Sequence, residues 1–332
     1  MSTNESFDEN SFTSSEISLS RPVRFWILII LDSSSTVCAI YLLYHLLVNR
    51  TLRKSISNHV IIILLLMGLA TQLIDVPLYL VFILNNGIVA PTNATTCIFW
   101  WFACFGMYNG GTVLMAWAAF ERHIIVFHSQ STSTRRGRFW LHYLPVFLLL
   151  AYVFIFYTYC LLFFPCENAY EYRLPFCNAL PCYQEDSFVG VWEFTMNNIV
   201  PSLLVALFSG TLLLRVVRHK LRLNQQVQWK KQRRLILQLA AISSLNIVIN
   251  IPLNLVSLAR LCGLPEDYGV EAQHYFYFSC YFLIFFFPFV CLIAYPELWR
   301  KSRLRCRAAY PIQDQTLVAP SVWATRINVR DR

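Results

Sequence analysis

Seven apolar runs, each long enough to cross about 30 Å of hydrocarbon, recur along nearly the whole chain and limit what it can fold into. They cover residues 24–48, 59–84, 97–127, 139–164, 188–217, 235–261 and 273–294. In hydrocarbon a backbone must satisfy its own polar groups, and a lone apolar run can do that only as a helix. The fold class that follows is an all-α membrane protein, a seven-transmembrane helix bundle. The chain divides into a polar N-terminal tail (1–23), the bundle (24–295) and a tail (296–332) whose first turns form a short amphipathic helix. Only 14% of the 332 residues are charged, against about a quarter in a water-soluble domain. Too little chain lies between the runs for a separate soluble domain.

Lysine and arginine set the orientation. Of 27 such residues, only Arg21, Arg24, Arg173 and Arg260 fall on the side of the N-terminus. The rest cluster at Arg50–Lys54, Arg122–Arg138, Arg215–Arg234 and Arg300–Arg332. Positive residues stay in the cytoplasm, so the N-terminus is expected outside, and the expected location is the plasma membrane. The first 23 residues lack the basic head and apolar core of a signal peptide, so the first span serves as its own insertion signal. In this orientation the sequons at Asn4 and Asn93 face outward and are expected to carry glycans, while Asn49-Arg-Thr faces inward and stays bare. The net charge of +9 is no nucleic-acid signature. Each basic cluster abuts a span end, where topology and anionic lipid account for it.

Four cysteines, Cys97, Cys166, Cys177 and Cys182, lie on the oxidising side, and four cysteines allow three pairings. Cys306 follows a short basic amphipathic stretch after the seventh span and is a candidate for S-palmitoylation. The seven histidines, including His59, His123 and His142, sit towards span ends without close ligand spacing, so no metal or other cofactor is expected. Asp75 and Glu193 lie within spans, where an ionisable group is costly and marks function.

The third span carries the most specific pattern. It opens at Cys97 and closes at Glu121-Arg122-His123, 25 residues after the cysteine, which is about 37 Å of helix. This resembles the third helix of the rhodopsin-like G protein-coupled receptors, with their outer cysteine and inner Asp/Glu-Arg-Tyr motif. Asn58 and Pro77 in the second span, and Pro201, Pro252 and Pro288 in the fifth, sixth and seventh, also fall where that family places its landmarks and helix kinks. A basic run (Lys230, Lys231, Arg233, Arg234) leads into the sixth span. The resemblance covers about residues 24–306, but departs in several places. Gly68 stands where the family keeps a sodium-binding aspartate, and Asn250 where it keeps a switch tryptophan. Cys291 stands at the tyrosine of the seventh-helix motif, and the first-helix asparagine and fourth-helix tryptophan have no counterpart.

The resemblance implies a receptor, not an enzyme, that binds an extracellular ligand and activates a heterotrimeric G protein. It implies a coupling switch at Glu121, Arg122 and His123, with Glu121 as the resting partner of Arg122. It implies a ligand pocket lined by Cys104, Phe105, Tyr108, Asn109, Glu193, Asn197, Asn250, Asn254, Tyr277 and Tyr281. It also implies a Cys97–Cys182 disulfide, with Cys177 as the alternative partner and Cys166 taking whichever remains. Cys104 occupies the place of the amine receptors' aspartate, and all five lysines lie outside the spans, so an amine or retinal ligand is not expected. The aromatic lining and acidic outer loops fit a peptide. The competing class, a seven-span transporter or channel without G protein coupling, would call for repeated broken helices.

Overall fold

The computed structural model describes residues 17–127, 134–177, 181–222, 229–261 and 270–295. Asn4, Cys306 and the amphipathic helix expected after residue 295 lie outside the described residues. Two units are distinguished, Met1–Ala294 and the tail Tyr295–Arg332; the bundle belongs to the first.

Among the described residues there are seven long helices. These are α1 (Arg21–Val48), α2 (Ile56–Leu84), α3 (94–127), α4 (Arg135–Leu162), α5 (189–222), α6 (Trp229–Leu261) and α7 (Val270–Ala294). Five have segments long and apolar enough to cross a membrane, and α6 adds the shorter apolar stretch Ala240–Val256. The helices start and stop where local chemistry directs. Pro22 sits in the first turn of α1, where its missing N–H leaves no bond unmade. Asn93 caps α3 by accepting from Thr96 N at 2.7 Å, and Thr134 caps α4 by accepting from Gly137 N at 3.1 Å. After α2 the chain turns through Asn86 and Gly87, both at positive φ, with Gly87 N returning to Phe82 O at 2.9 Å.

The helices form a ring: α1 packs on α2 and α7, α2 on α3, α3 on α4 and α5, α5 on α6, and α6 on α7. Large apolar side chains such as Trp26, Val37, Phe154, Phe163, Val248 and Ile293 point outward, each more than 60% exposed. The polar groups point inward, among them Ser35, Asn58, Gln72, Asp75, Asn109 and Asn246. That inversion of the usual soluble pattern is what a lipid-facing surface requires, and this is a multi-pass membrane protein. Pro77, Pro201, Pro252 and Pro288 all lie within helices. Three π-helical segments widen the bundle's helices, at Phe102–Met107, Phe139–Tyr143 and Glu193–Ile199. Such turns re-aim side chains and gather at functional sites.

Candidate functional site

The end of the bundle that carries the cysteines is closed by the segment joining α4 to α5. Cys97 at the head of α3 bonds Cys177, with Cα atoms 5.8 Å apart, and Cys166 bonds Cys182 at 6.1 Å. This corrects the Cys97–Cys182 pairing in favour of its alternative. The cause is the turn Pro175–Cys177, in which Phe176 and Cys177 both take left-handed backbone angles. The turn folds down onto α3, where Trp101 Nε1 donates to Phe176 O at 2.6 Å and the Phe176 ring lies against Tyr79 and Trp100. Cys182 is held elsewhere, its N–H donating to Asn168 Oδ1 at 3.0 Å. The pairing that the resemblance implies does not register that turn.

Beneath this lid lies Glu193, 3% exposed, in the π-helical segment of α5. Its Oε1 accepts from Tyr183 Oη at 3.2 Å and from Asn109 Nδ2 at 3.4 Å, and its Oε2 accepts from Gln184 Nε2 at 2.8 Å. Burial, then the neighbouring Glu193, pushes the Tyr183 phenol well above its ordinary range, so it keeps its proton and donates. Gly190 makes this closure possible. A Cβ there would stand 2.2 Å from the backbone oxygen of Gln184. Asn109 also donates to Tyr157 Oη at 2.8 Å. A second acid, Asp75, accepts from Trp100 Nε1 at 2.6 Å and Tyr281 Oη at 3.0 Å. Tyr108 Oη donates to Asn250 Oδ1 at 2.6 Å, tying α3 to α6.

Of the ten pocket residues expected, Tyr108 and Asn250 therefore meet, Asn109 and Glu193 meet, and Tyr281 joins Asp75. Phe105 packs against the apolar cluster around Trp100 and Trp101, and Cys104 is partly buried. Asn197 accepts from Tyr152 Oη at 2.8 Å, on the α4 side. Asn254 is buried on α6. Tyr277 is 39% exposed. Tyr157, Tyr183, Gln184 and Trp100 complete the cluster and were not anticipated. Tyr183 and Gln184 lie in a loop whose closure no local pattern announces.

At the opposite, basic end, Glu121 and Arg122 are both buried, at 3% and 6% exposure. Glu121 Oε1 makes a short bond to His142 Nδ1 of α4. His142 Nε2 meets His59 Nδ1 of α2 at 3.0 Å, and His59 Nε2 meets the Arg53 carbonyl at 2.8 Å. The carbonyl can only accept, so His59 carries its proton on Nε2. The bond between the two rings and the bond from His142 to Glu121 then hold one proton each. The relay ties α2, α3 and α4 together through Glu121. On the other side, His123 Nε2 lies 2.6 Å from Phe208 O and 3.2 Å from Thr211 Oγ1, tying α3 to α5. His59 and His142 are 83 residues apart in sequence, so no spacing rule could pair them. A Cβ on Gly68 would meet Ile284 of α7 at 3.9 Å.

A seven-helix bundle with a disulfide from the head of α3 to a loop that lids it, and a buried Glu-Arg pair at the far end of the same helix, is a fold of the rhodopsin type. The backbone superimposes on the crystal structure of squid rhodopsin with a TM-score of 0.66, covering 89% of each chain at 15% identity. No protein-family model matches the sequence, and no curated protein matches it either. The likeness is one of fold.

Proposed function

We propose that this protein is a G protein-coupled receptor of the plasma membrane, with the disulfide end outside and the basic end facing a heterotrimeric G protein. The observation that carries the reading is the position of Glu121-Arg122-His123. All three lie at the basic end of α3, with Glu121 joined to α2 and α4 and His123 joined to α5. A partner that took hold of Arg122 would act on the one helix to which the others are fastened. The fold of squid rhodopsin supports the same assignment. In this reading Glu121, held by His142, keeps the resting arrangement, and Arg122 meets the G protein when α3 is released. A ligand entering between α3, α5, α6 and α7 would meet aromatic and amide groups, beneath a lid whose flanks carry Glu167, Glu171, Glu185 and Asp186. That chemistry suits a cationic peptide.

The test is a ligand screen beginning with peptides, read by nucleotide exchange on G proteins in membranes from cells expressing the chain. Ligand-stimulated exchange is the expected result. Solute flux in the same membranes, without exchange on any G protein, would place the chain among transporters.

A further inference from the structure

Two histidines from helices far apart in sequence meet at the basic end. His142 lies in the π-helical segment Phe139–Tyr143. It is buried, while Phe139, Trp140 and Tyr143 beside it are exposed, as on a lipid-facing helix. The π-turn re-aims one polar side chain of an apolar surface into the bundle. There His142 stands between Glu121 of α3 and His59 of α2, and His59 holds the carbonyl of Arg53 at 2.8 Å. Arg53 ends the short helix Arg50–Arg53 that joins α1 to α2.

Each of the three bonds holds one proton. The row is therefore complete with three, shared by two imidazoles and one carboxylate that together carry no net charge. A fourth proton has two places to go. On Glu121 it would give up the charge-assisted bond between a carboxylate and an imidazolium, the stronger kind. On His59 it makes an imidazolium whose Nδ1–H points at the Nε2–H of His142, with 3.0 Å between the nitrogens. Two donors at that distance repel, so this is the bond that opens. Removing a proton works differently. His59 can shift its own proton from Nε2 to Nδ1 and keep His142, leaving the Arg53 carbonyl, at the exposed end of the row, to water.

The neighbours leave this choice to the two rings. Tyr143 lies against His59 and edge-on to His142. Arg53 turns its guanidinium to Leu47 O at 3.1 Å, and His123 of α3 faces α5. The adjoining charges are Arg50 and Lys54 before α2, Arg122 on α3, and Arg135, Arg136 and Arg138 at the head of α4. A guanidinium keeps its proton throughout the range in which an imidazole titrates. We propose that His59 and His142 form an acid-opened clasp between α2 and α4, with His59 as the site that takes the proton. Its opening frees α2 and leaves Glu121 bound to His142, so acid loosens one helix without unfastening α3.

Spin labels test this on the full chain in lipid nanodiscs, attached through Lys54→p-acetylphenylalanine beside α2 and Arg136→p-acetylphenylalanine in α4, both exposed positions. As the pH falls through the imidazole range, from about 8 to 5, the population at the short distance should shrink several-fold. It should recover on return to neutral pH. A population that stays constant overturns the proposal. In His59→Gln the amide oxygen accepts from His142 with or without acid, so the shift should vanish. A shift of native size in His59→Gln puts the extra proton elsewhere, on Glu121 for example, and also overturns it. The native chain with 15N-labelled histidine supplies a check that needs no variant. The nitrogen–nitrogen coupling across the His59–His142 bond should be present at neutral pH and absent in acid, and a coupling that survives acid sinks the clasp. Neither measurement requires a G protein, so the outcome stands apart from the receptor reading.

Discussion

The two buried glutamates, Glu193 under the lid and Glu121 at the basic end, are equally hidden from solvent and held in opposite ways. Glu193 is surrounded by three neutral donors on two different elements, Tyr183 and Gln184 of the lid and Asn109 of α3. Each keeps its proton, so the arrangement is a fixed staple, and two disulfides lie beside it. Glu121 is held by a histidine that is itself held by a histidine. Imidazole is the side chain that exchanges its proton most readily near neutral pH. One end of the bundle is built to stay shut, and the other is built around a bond that can be given up. In the proposed receptor, ligand works against the first and signals through the second.

The largest effect tests the basic end. Arg122→Ala should abolish nucleotide exchange on the G protein at matched surface expression, while ligand affinity changes little, because the partner of this residue would lie in the cytoplasm. An Arg122→Ala protein that signals like the native chain reduces the arginine to a helix-end charge reaching for the interface.

The next effect tests the lid. In a chain-entropy account, the loop of 80 residues closed by Cys97–Cys177 is worth about 4.5 kcal/mol of stability and the loop of 16 closed by Cys166–Cys182 about 3 kcal/mol. Cys177→Ser should therefore lower the melting temperature more than Cys182→Ser. Peptide mapping without reduction should recover Cys97 joined to Cys177. Recovery of Cys97 with Cys182 would return the first-choice pairing and undo the lid geometry described above.

A third measurement sharpens the contrast within the basic end. Glu121→Gln and His142→Gln should each raise basal exchange several-fold, since each breaks the same bond. The double variant should match the singles, because partners in one bond are non-additive. Additive effects would mean that Glu121 and His142 restrain the bundle independently.

The sequence reading fared differently at the two levels of the structure. The spans were legible because hydrocarbon leaves a chain few choices, and α1 to α7 begin and end within a few residues of the apolar runs. The landmarks along one helix, Cys97 and Glu121-Arg122-His123, were legible for the same reason: helical rise converts spacing into depth. What joins helices was not. His59 and His142 meet across 83 residues, and Tyr183 reaches Glu193 only because Gly190 lets the lid lie flat. The disulfide partner of Cys97 depends on the backbone twist at Phe176 and Cys177.

The smallest effect belongs to Glu193. Both of its oxygens accept and all three of its partners donate, so Glu193→Gln turns its own NH2 onto one of those donors unless the Gln184 amide turns over to accept it. Leaving one buried donor unmatched costs about 1 kcal/mol, at the low end of the usual range, because two of the three donors sit on a loop that can shift. Gly190→Ala should move the same loop further, since its Cβ meets a backbone oxygen that no rotamer change can clear. Both variants should speed amide hydrogen exchange at residues 181–186, Gly190→Ala the more, and neither should change basal nucleotide exchange. The last clause carries the comparison. A staple that only closes the lid has no hold on the basic end, where Glu121 fastens α3 to its neighbours. If Glu193→Gln raises basal exchange as much as Glu121→Gln does, the two glutamates are coupled through α3 and α5. The division between a fixed end and a movable one would then have to be abandoned.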